Sequence, residues 1–479
     1  MKTLQQILLA GSIAFMPFCL NAQDNQRWSL EKEGHIRWQP EKIESHQDHI
    51  EMSGKTVSVV LRYGVENGKF ILNKSMVWPL LRTIPNNTHA SLMRRYNWDV
   101  LDMVNINGRS LTSEQVESIE LKGILKVTSN YDEGRRGKWK IIREYFPSTD
   151  QPALVESYQI INTGKNELAI ELPQINQKSI TDPKKGVTGS FCIETLTDKS
   201  GHFTLQPGES LTFGASLLAY KEGEKAPLID VQKEKGQRES LVGELMNKLV
   251  LETPDPIIDR MFAFSKIRGC ESIYETKGGP MHGPGGESYY AAIWANDQAE
   301  YINPFFPFVG YEYGNASALN SYLHFARFMN NEWKPIPSSI IAEGIDIWNG
   351  AGDRGDAAMI AYGAARYALA RGNKQEAETL WPLIEWCLEY CRRQLNEEGV
   401  VASDSDELEG RFPSGDANLC TSSLYYDALL STSYLCKELG KSGASTYLKQ
   451  AAILRKNMER YFGAQVEGCD TYAYYKGID

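Results

Sequence analysis

Three stretches in the C-terminal half concentrate carboxylates, arginines and indoles. The first, YETKGGPMHGPGGE (274–287), leads into IWANDQAEY (293–301), which carries Trp294, Asp297 and Glu300. The second, NEWKPIPSSIIAEGIDIWNGAGDR (331–354), holds Trp333, Glu343, Asp346, Trp348, Asp353 and Arg354, with Asp356 just beyond. The third, NEEGVVASDSDELEGRFPSG (396–415), holds Asp404, Asp406, Glu407, Glu409 and Arg411, with Asp416 following. These side chains suit a neutral sugar. Carboxylates and guanidinium groups take hydroxyls in pairs of hydrogen bonds, and indole faces stack on C–H faces. Breaking a glycosidic bond needs a protonated carboxylic acid at the leaving oxygen and a second carboxylate for water or the anomeric carbon. A carboxyl keeps its proton near neutrality when it is buried or has a carboxylate beside it, and the third stretch supplies close neighbours.

Each residue also has a plainer reading. Asp356 and Asp416 each stand ahead of an apolar helical run and fit a helix N-cap. Asp404, Asp406, Glu407 and Glu409 fit a solvated acidic turn, Trp294 fits a core position, and His282 fits a polar loop. Cys387 and Cys391 lie four apart with Leu383, Ile384, Leu388 and Leu395 on one face, as small buried hydrophobes would.

Positioning such residues requires a scaffold, and the sequence changes period once. Five segments, 55–64, 68–78, 137–146, 153–162 and 209–220, alternate or run β-branched and aromatic, with Gly, Asn, Asp and Pro between them. They predict an antiparallel β-sandwich over 23–220, expected to brace the helical half, with sugar binding by the sandwich itself as the alternative. Residues 221–241 are charged and poor in aromatics and read as a linker, partly helical. From Val242 to Asp479 the period becomes 3.6. Helices are expected at about 255–273, 288–303, 315–330, 355–371, 374–396, 417–439 and 442–462. The connections before the second, fourth and sixth are long and carry the acidic stretches, whereas those after them are short. If outer and inner helices alternate, the three long loops converge at one rim. A helical solenoid would also alternate long and short loops.

Composition narrows the chemistry further. The chain has 479 residues, with 51 Lys+Arg against 61 Asp+Glu and a net charge of −10, so a nucleic-acid partner is not expected. Met1 and Lys2 precede an apolar run from Ile7 to Phe18 broken by Pro17, which reads as a secretory leader (1–22) cleaved after Ala22. A periplasmic or secreted bacterial protein is expected, with no membrane span. The seven cysteines after Cys19 are an odd number and no disulfide framework. The helical half has His282 and His324 but no HExxH, no GxSxG and no phosphate-loop lysine. No metal and no cofactor is expected.

IWANDQAEY resembles the Trp-x-Arg-Asp element of glucoamylase-like enzymes, with Asp297 at the Asp and Asn296 at the Arg. DELEGRF followed by GDANL (406–412, 415–419) resembles the Gly-Trp-Asp-x-x-x-Arg-Trp and Val-Asp-Leu-Asn pattern of trehalases and processing α-glucosidases. Glu407 then stands where those enzymes have their general acid, four before Arg411, with Asp406 the neighbouring rival; Asp416 and Asn418 match the Asp-x-Asn. The resemblance is to the bacterial (α/α)6-toroid, or six-hairpin, glycosidases and covers about residues 255–440. It implies a β-then-α multidomain fold and a glycoside hydrolase, inverting in outcome. Its implied site is Glu407 or Asp406 as acid, with Trp294, Asp297, Arg411 and Asp416; the chemistry of the second stretch adds Trp348, Asp353 and Arg354 around a carbohydrate substrate. Toroids of this kind have twelve helices, so the seven expected here read as an incomplete ring, ending in a loop-like TYAYYKGID (471–479). An inverting phosphorylase and a non-catalytic glycan binder are the alternatives.

Overall fold

The computed structural model describes residues 27–41, 45–84, 90–287, 292–343, 347–348, 350 and 352–477. The expected leader and Asp346 lie outside the described residues.

Alternation of apolar and polar residues builds the first half. Nine antiparallel strands form one sheet in the order 28–30, 36–38, 114–121, 125–132, 138–147, 153–162, 210–221, 191–197, 176–180. Four more, His46–Ser53, Ser58–Glu66, Lys69–Arg82 and Ser91–Tyr96, form a second sheet. Both give side chains to one apolar cluster, in which Leu61, Met76 and Trp78 from the smaller sheet meet Val127, Ile141, Tyr158 and Phe213 from the larger. Burial of that area is the main force holding this region together.

The expected linker is helical from Val231. Helix α1 (Val231–Asn247) starts at Asp230, whose carboxylate accepts the Gln232 and Lys233 N–H groups. It lies on the larger sheet, with Lys235 Nζ 2.6 Å from Glu144. Helix α2 (Pro256–Glu271) comes next. Arg238 of α1 joins the two regions. It donates to Ser53 and Gly123 carbonyls of the β region and pairs with Glu271 of α2 at 2.6 Å, both side chains buried.

Residues 292–294, expected in a helix, are instead a strand. It pairs with Ser339–Ile341, which pairs in turn with Ile347–Trp348. Helical backbone begins just after, as a π-helical segment Asp297–Ile302 that runs into α3 (Asn303–Val309). Then come α4 (Glu312–Ala326), α5 (Asp356–Arg371), α6 (Lys374–Arg393), α7 (Leu419–Leu439) and α8 (Ala444–Phe462). The alanine-rich α5 lies inside and packs against α3, α6 and α7. Cys387 and Cys391 are buried on α6. The chain then forms a hairpin, Gly463–Val466 with Cys469–Tyr472, whose last two residues fall in the segment 471–479 expected to be loop-like. Among the described residues no helix is long and apolar enough to cross a membrane.

Candidate active site

The three long connections meet. A cavity of about 580 Å³ is lined by Pro284, Trp294, Asn296, Asp297, Tyr301, Trp348, Glu407, Leu408, Glu409 and Arg411. All three acidic stretches contribute, from the segments that precede α3, α5 and α7.

The floor is set by the short three-stranded sheet. Trp294 pairs with Ser339, and Ser339 with Trp348. Directly paired residues share a face, so the two indoles flank Ser339 on one side of the sheet, roughly 10 Å apart at two strand spacings. One wall is the π-helical segment. The wider turn of a π-helix re-aims side chains relative to an α-helix and is frequent at functional sites. Here it carries Asp297, Glu300 and Tyr301, and the Tyr301 hydroxyl donates to Glu407 Oε2 at 2.9 Å.

The neighbouring wall, joined to it by that bond, is a tight turn. Asp406 is wholly buried and lies outside the cavity lining. Its carboxylate accepts the Leu408 N–H at 2.8 Å and the Tyr474 hydroxyl. The turn so formed carries Glu407, Leu408 and Glu409 to the cavity. Glu409 has φ 58°, a left-handed conformation that costs a non-glycine residue on the order of 1–3 kcal/mol. Two arginines hold it there, Arg354 Nη1 at 3.0 Å and Arg411 Nη2 at 3.3 Å. Arg354 is itself buried, donating from Nε to Ser338 Oγ at 2.9 Å and pairing with Asp356 at 3.0 Å.

The nine predicted residues therefore divide. Trp294, Asp297, Trp348, Glu407 and Arg411 line the cavity, and Arg354 stands behind it. Asp353 is buried, bonded by Tyr390 Oη at 2.5 Å and Gly355 N–H at 2.8 Å, and its backbone N–H donates to Asp404. It holds the second and third stretches together without lining the cavity. Asp416 is exposed and outside the lining; the cap of α7 is Asn418, whose Oδ1 accepts the Thr421 N–H at 2.8 Å. Asp356 is not a cap either, since Gly355 at φ 82° takes that place. Glu343 pairs with Arg82 of the β region, and Trp333 stacks on Trp386 at 5.4 Å. His282 is half-buried against the Gly269 carbonyl, and desolvation, aided by Arg268, pushes it down to about 4. Tyr301, Leu408 and Pro284 carry no charge and gave no signal in the sequence.

The cavity favours protonated carboxyls. Burial, reinforced by Glu407 and Glu409 and opposed by Arg354, pushes Asp297 up to about 6. Burial, then Glu407, raises Glu300 to about 8, and its Oε1 is buried without a hydrogen-bond partner. Burial also raises Asp353 to about 6, against its bonds from Tyr390 and Gly355. Of the three, only Glu300, outside the cavity lining, is pushed above neutrality, by burial and then by the neighbouring Glu407 carboxylate. Among the described residues no group of His, Cys, Asp and Glu is placed to hold a metal ion.

The sequence matches no protein family description and no curated protein. In three dimensions the chain is similar to a putative kojibiose phosphorylase from the human microbiome, at 9% identity and TM-score 0.50, over 90% of this chain and 69% of that one. It is similar to a bacterial glucoamylase complexed with acarbose at 10% identity and TM-score 0.50, over 93% of this chain and 73% of that one. The chain shares its β-then-α fold with these two proteins over most of its length. At these identities the likeness speaks to fold, and the cavity must supply the chemistry.

Proposed function

We propose that the chain is a secreted glycoside hydrolase that cleaves a neutral oligo- or polysaccharide with inversion. In this reading its strands form a β-sandwich, its helices belong to a toroid, and residues 1–22 are a removed leader. One observation carries the reading. Glu407 shares a cavity with Asp297, Glu409 and two indoles on one face of a sheet, and Glu300, pushed up to about 8, lies on the same π-helical segment as Asp297.

Glu407 is the general acid, protonating the leaving glycosidic oxygen. Tyr301 fixes its orientation through the bond to Oε2. Trp294 and Trp348 stack on sugar rings, while Asp297 accepts from ring hydroxyls and Arg411 donates to them. Arg354 and Asp406 position Glu409 and Glu407, and Asp353 ties their loops together. Asp416 takes no part. Inversion places the attacking water between the acid and a second carboxylate ~6.5–9.5 Å away.

The test is a panel of neutral oligosaccharides screened for released reducing ends, with and without inorganic phosphate. Acarbose, which the glucoamylase of like fold binds, serves as inhibitor. Release that needs no phosphate and is slowed by acarbose supports a hydrolase. Release only with phosphate makes the chain a phosphorylase, and no release from any glycan contradicts the proposal.

A further inference from the structure

A second cavity, of about 450 Å³, lies in the β region and shares no lining residue with the first. It opens between strand Lys69–Arg82, the turn at 97–102, the segment 110–114 and the two strands that carry Tyr131 and Arg143. Its size falls in the usual range of small-ligand sites, roughly 300–1,000 Å³.

Its back wall is a connected set of buried and half-buried charges. Arg143, 4% exposed, donates from Nη1 to Glu114 at 2.7 Å and Ser129 at 3.1 Å, and from Nη2 to Tyr131 at 3.1 Å. Arg143 Nε is buried without a hydrogen-bond partner, 3.8 Å from Asp99 Oδ2. Asp99 accepts from Tyr145 at 2.6 Å, and the Tyr158 hydroxyl bridges Asp99 and Glu156. Glu156 closes the chain with a wholly buried ion pair to Lys74 at 2.7 Å. Burial works against the charged form of Asp99, but Arg143, Lys74 and Tyr145 outweigh it and hold the carboxyl below its usual range.

Such a network is costly inside an apolar region. Buried ion pairs are commonly no more stabilising than apolar residues of the same volume, so bracing does not account for it. The lining has two cationic side chains, Lys69 and Arg143, against three acidic ones, Asp99, Asp102 and Glu114. Nearly balanced charge disfavours phosphate, carboxylate or ammonium ligands. Interleaved donors and acceptors instead match hydroxyls, which both give and accept hydrogen bonds.

We propose that this cleft is a second, non-catalytic carbohydrate site that takes a neutral mono- or disaccharide against Arg143, Glu114 and Asn97. It stands on its own cavity and does not depend on the catalytic reading of the first. The experiment uses the full chain carrying Trp294→Ala, Trp348→Ala and Arg411→Ala, which remove both stacking indoles and the cationic donor from the first cavity. Binding of glucose, galactose, mannose and maltose is followed by saturation-transfer NMR and calorimetry, with glucuronate as the anionic control. At least one neutral sugar is expected to bind, and its affinity to fall about tenfold or more with Glu114→Gln, as loss of a charge-assisted bond implies. Asn97→Ala, at an exposed position, should weaken it as well, and decides the matter alone if Glu114→Gln does not fold by circular dichroism. The proposal is overturned if no neutral sugar binds, if only glucuronate binds, or if neither added substitution changes the affinity.

Discussion

Glu300 holds its proton more tightly than Asp297, one turn away on the same wall. Its carboxyl is pushed up from 4.5 to about 8, first by burial and then by Glu407. Because the folded value lies above the ordinary one, the stability tied to this group is complete below about pH 4.5. It is lost as pH rises through about 8. Thermal melts should therefore show the wild type losing Tm between pH 5 and 9 more steeply than Glu300→Gln, and parallel curves would contradict the shift. At this scale the sequence named the right kinds of residue but not their places. Asp406 and Glu407 are neighbours of the same chemistry, and only the turn that buries one beneath Tyr474 and turns the other to the cavity tells them apart. Tyr474 lies 68 positions away in sequence, so no local pattern announces it.

The elements that hold the site depend on close backbone packing. A Cβ placed on Gly363 of α5 would stand 2.1 Å from the Ala299 carbonyl oxygen of the π-helical segment. In an exposed helix Gly→Ala would stabilise by up to ~1 kcal/mol. Here Gly363→Ala is expected to destabilise by about 1–3 kcal/mol, since backbone must move to admit it. The same displacement shifts Asp297 and Tyr301, so kcat/KM should fall with it. Urea denaturation and kinetics check both, and a stabilised, fully active variant would contradict this packing. Period and punctuation made most elements legible: the strand expected over 153–162 is found there, and the helix expected from 374 starts there. Strand 292–294 was hidden because its three apolar residues continue into a helical pattern, and a π turn has no sequence period of its own. Helix α1 was legible only as a partly helical linker because of its charge; the signal for its start was the capping Asp230.

Across the whole molecule, Arg238 couples the β region to the helices. Its guanidinium reaches two β-region carbonyls and the buried Glu271. Arg238→Met leaves Glu271 buried and unpaired, and should cost about 3–5 kcal/mol in denaturant unfolding. A loss below about 1 kcal/mol would show that the two regions hold together without it. That junction also sets where the acidic connections lie, because Arg82 of the β region holds Glu343 of the second stretch. The β-then-α order and the convergence of three loops were legible in the change of period and in loop lengths. The second cavity was not, since its charges come from separate strands whose residues read as ordinary alternation.

The most direct measurement compares turnover and affinity for Glu407→Gln on the best glycan of the panel. Turnover should fall by roughly 10²–10⁴-fold, the usual contribution of a general acid, while affinity for acarbose or the glycan stays within about threefold. Unchanged turnover in Glu407→Gln, with the wild type active, would contradict the assignment of the acid and the reading of the cavity around it.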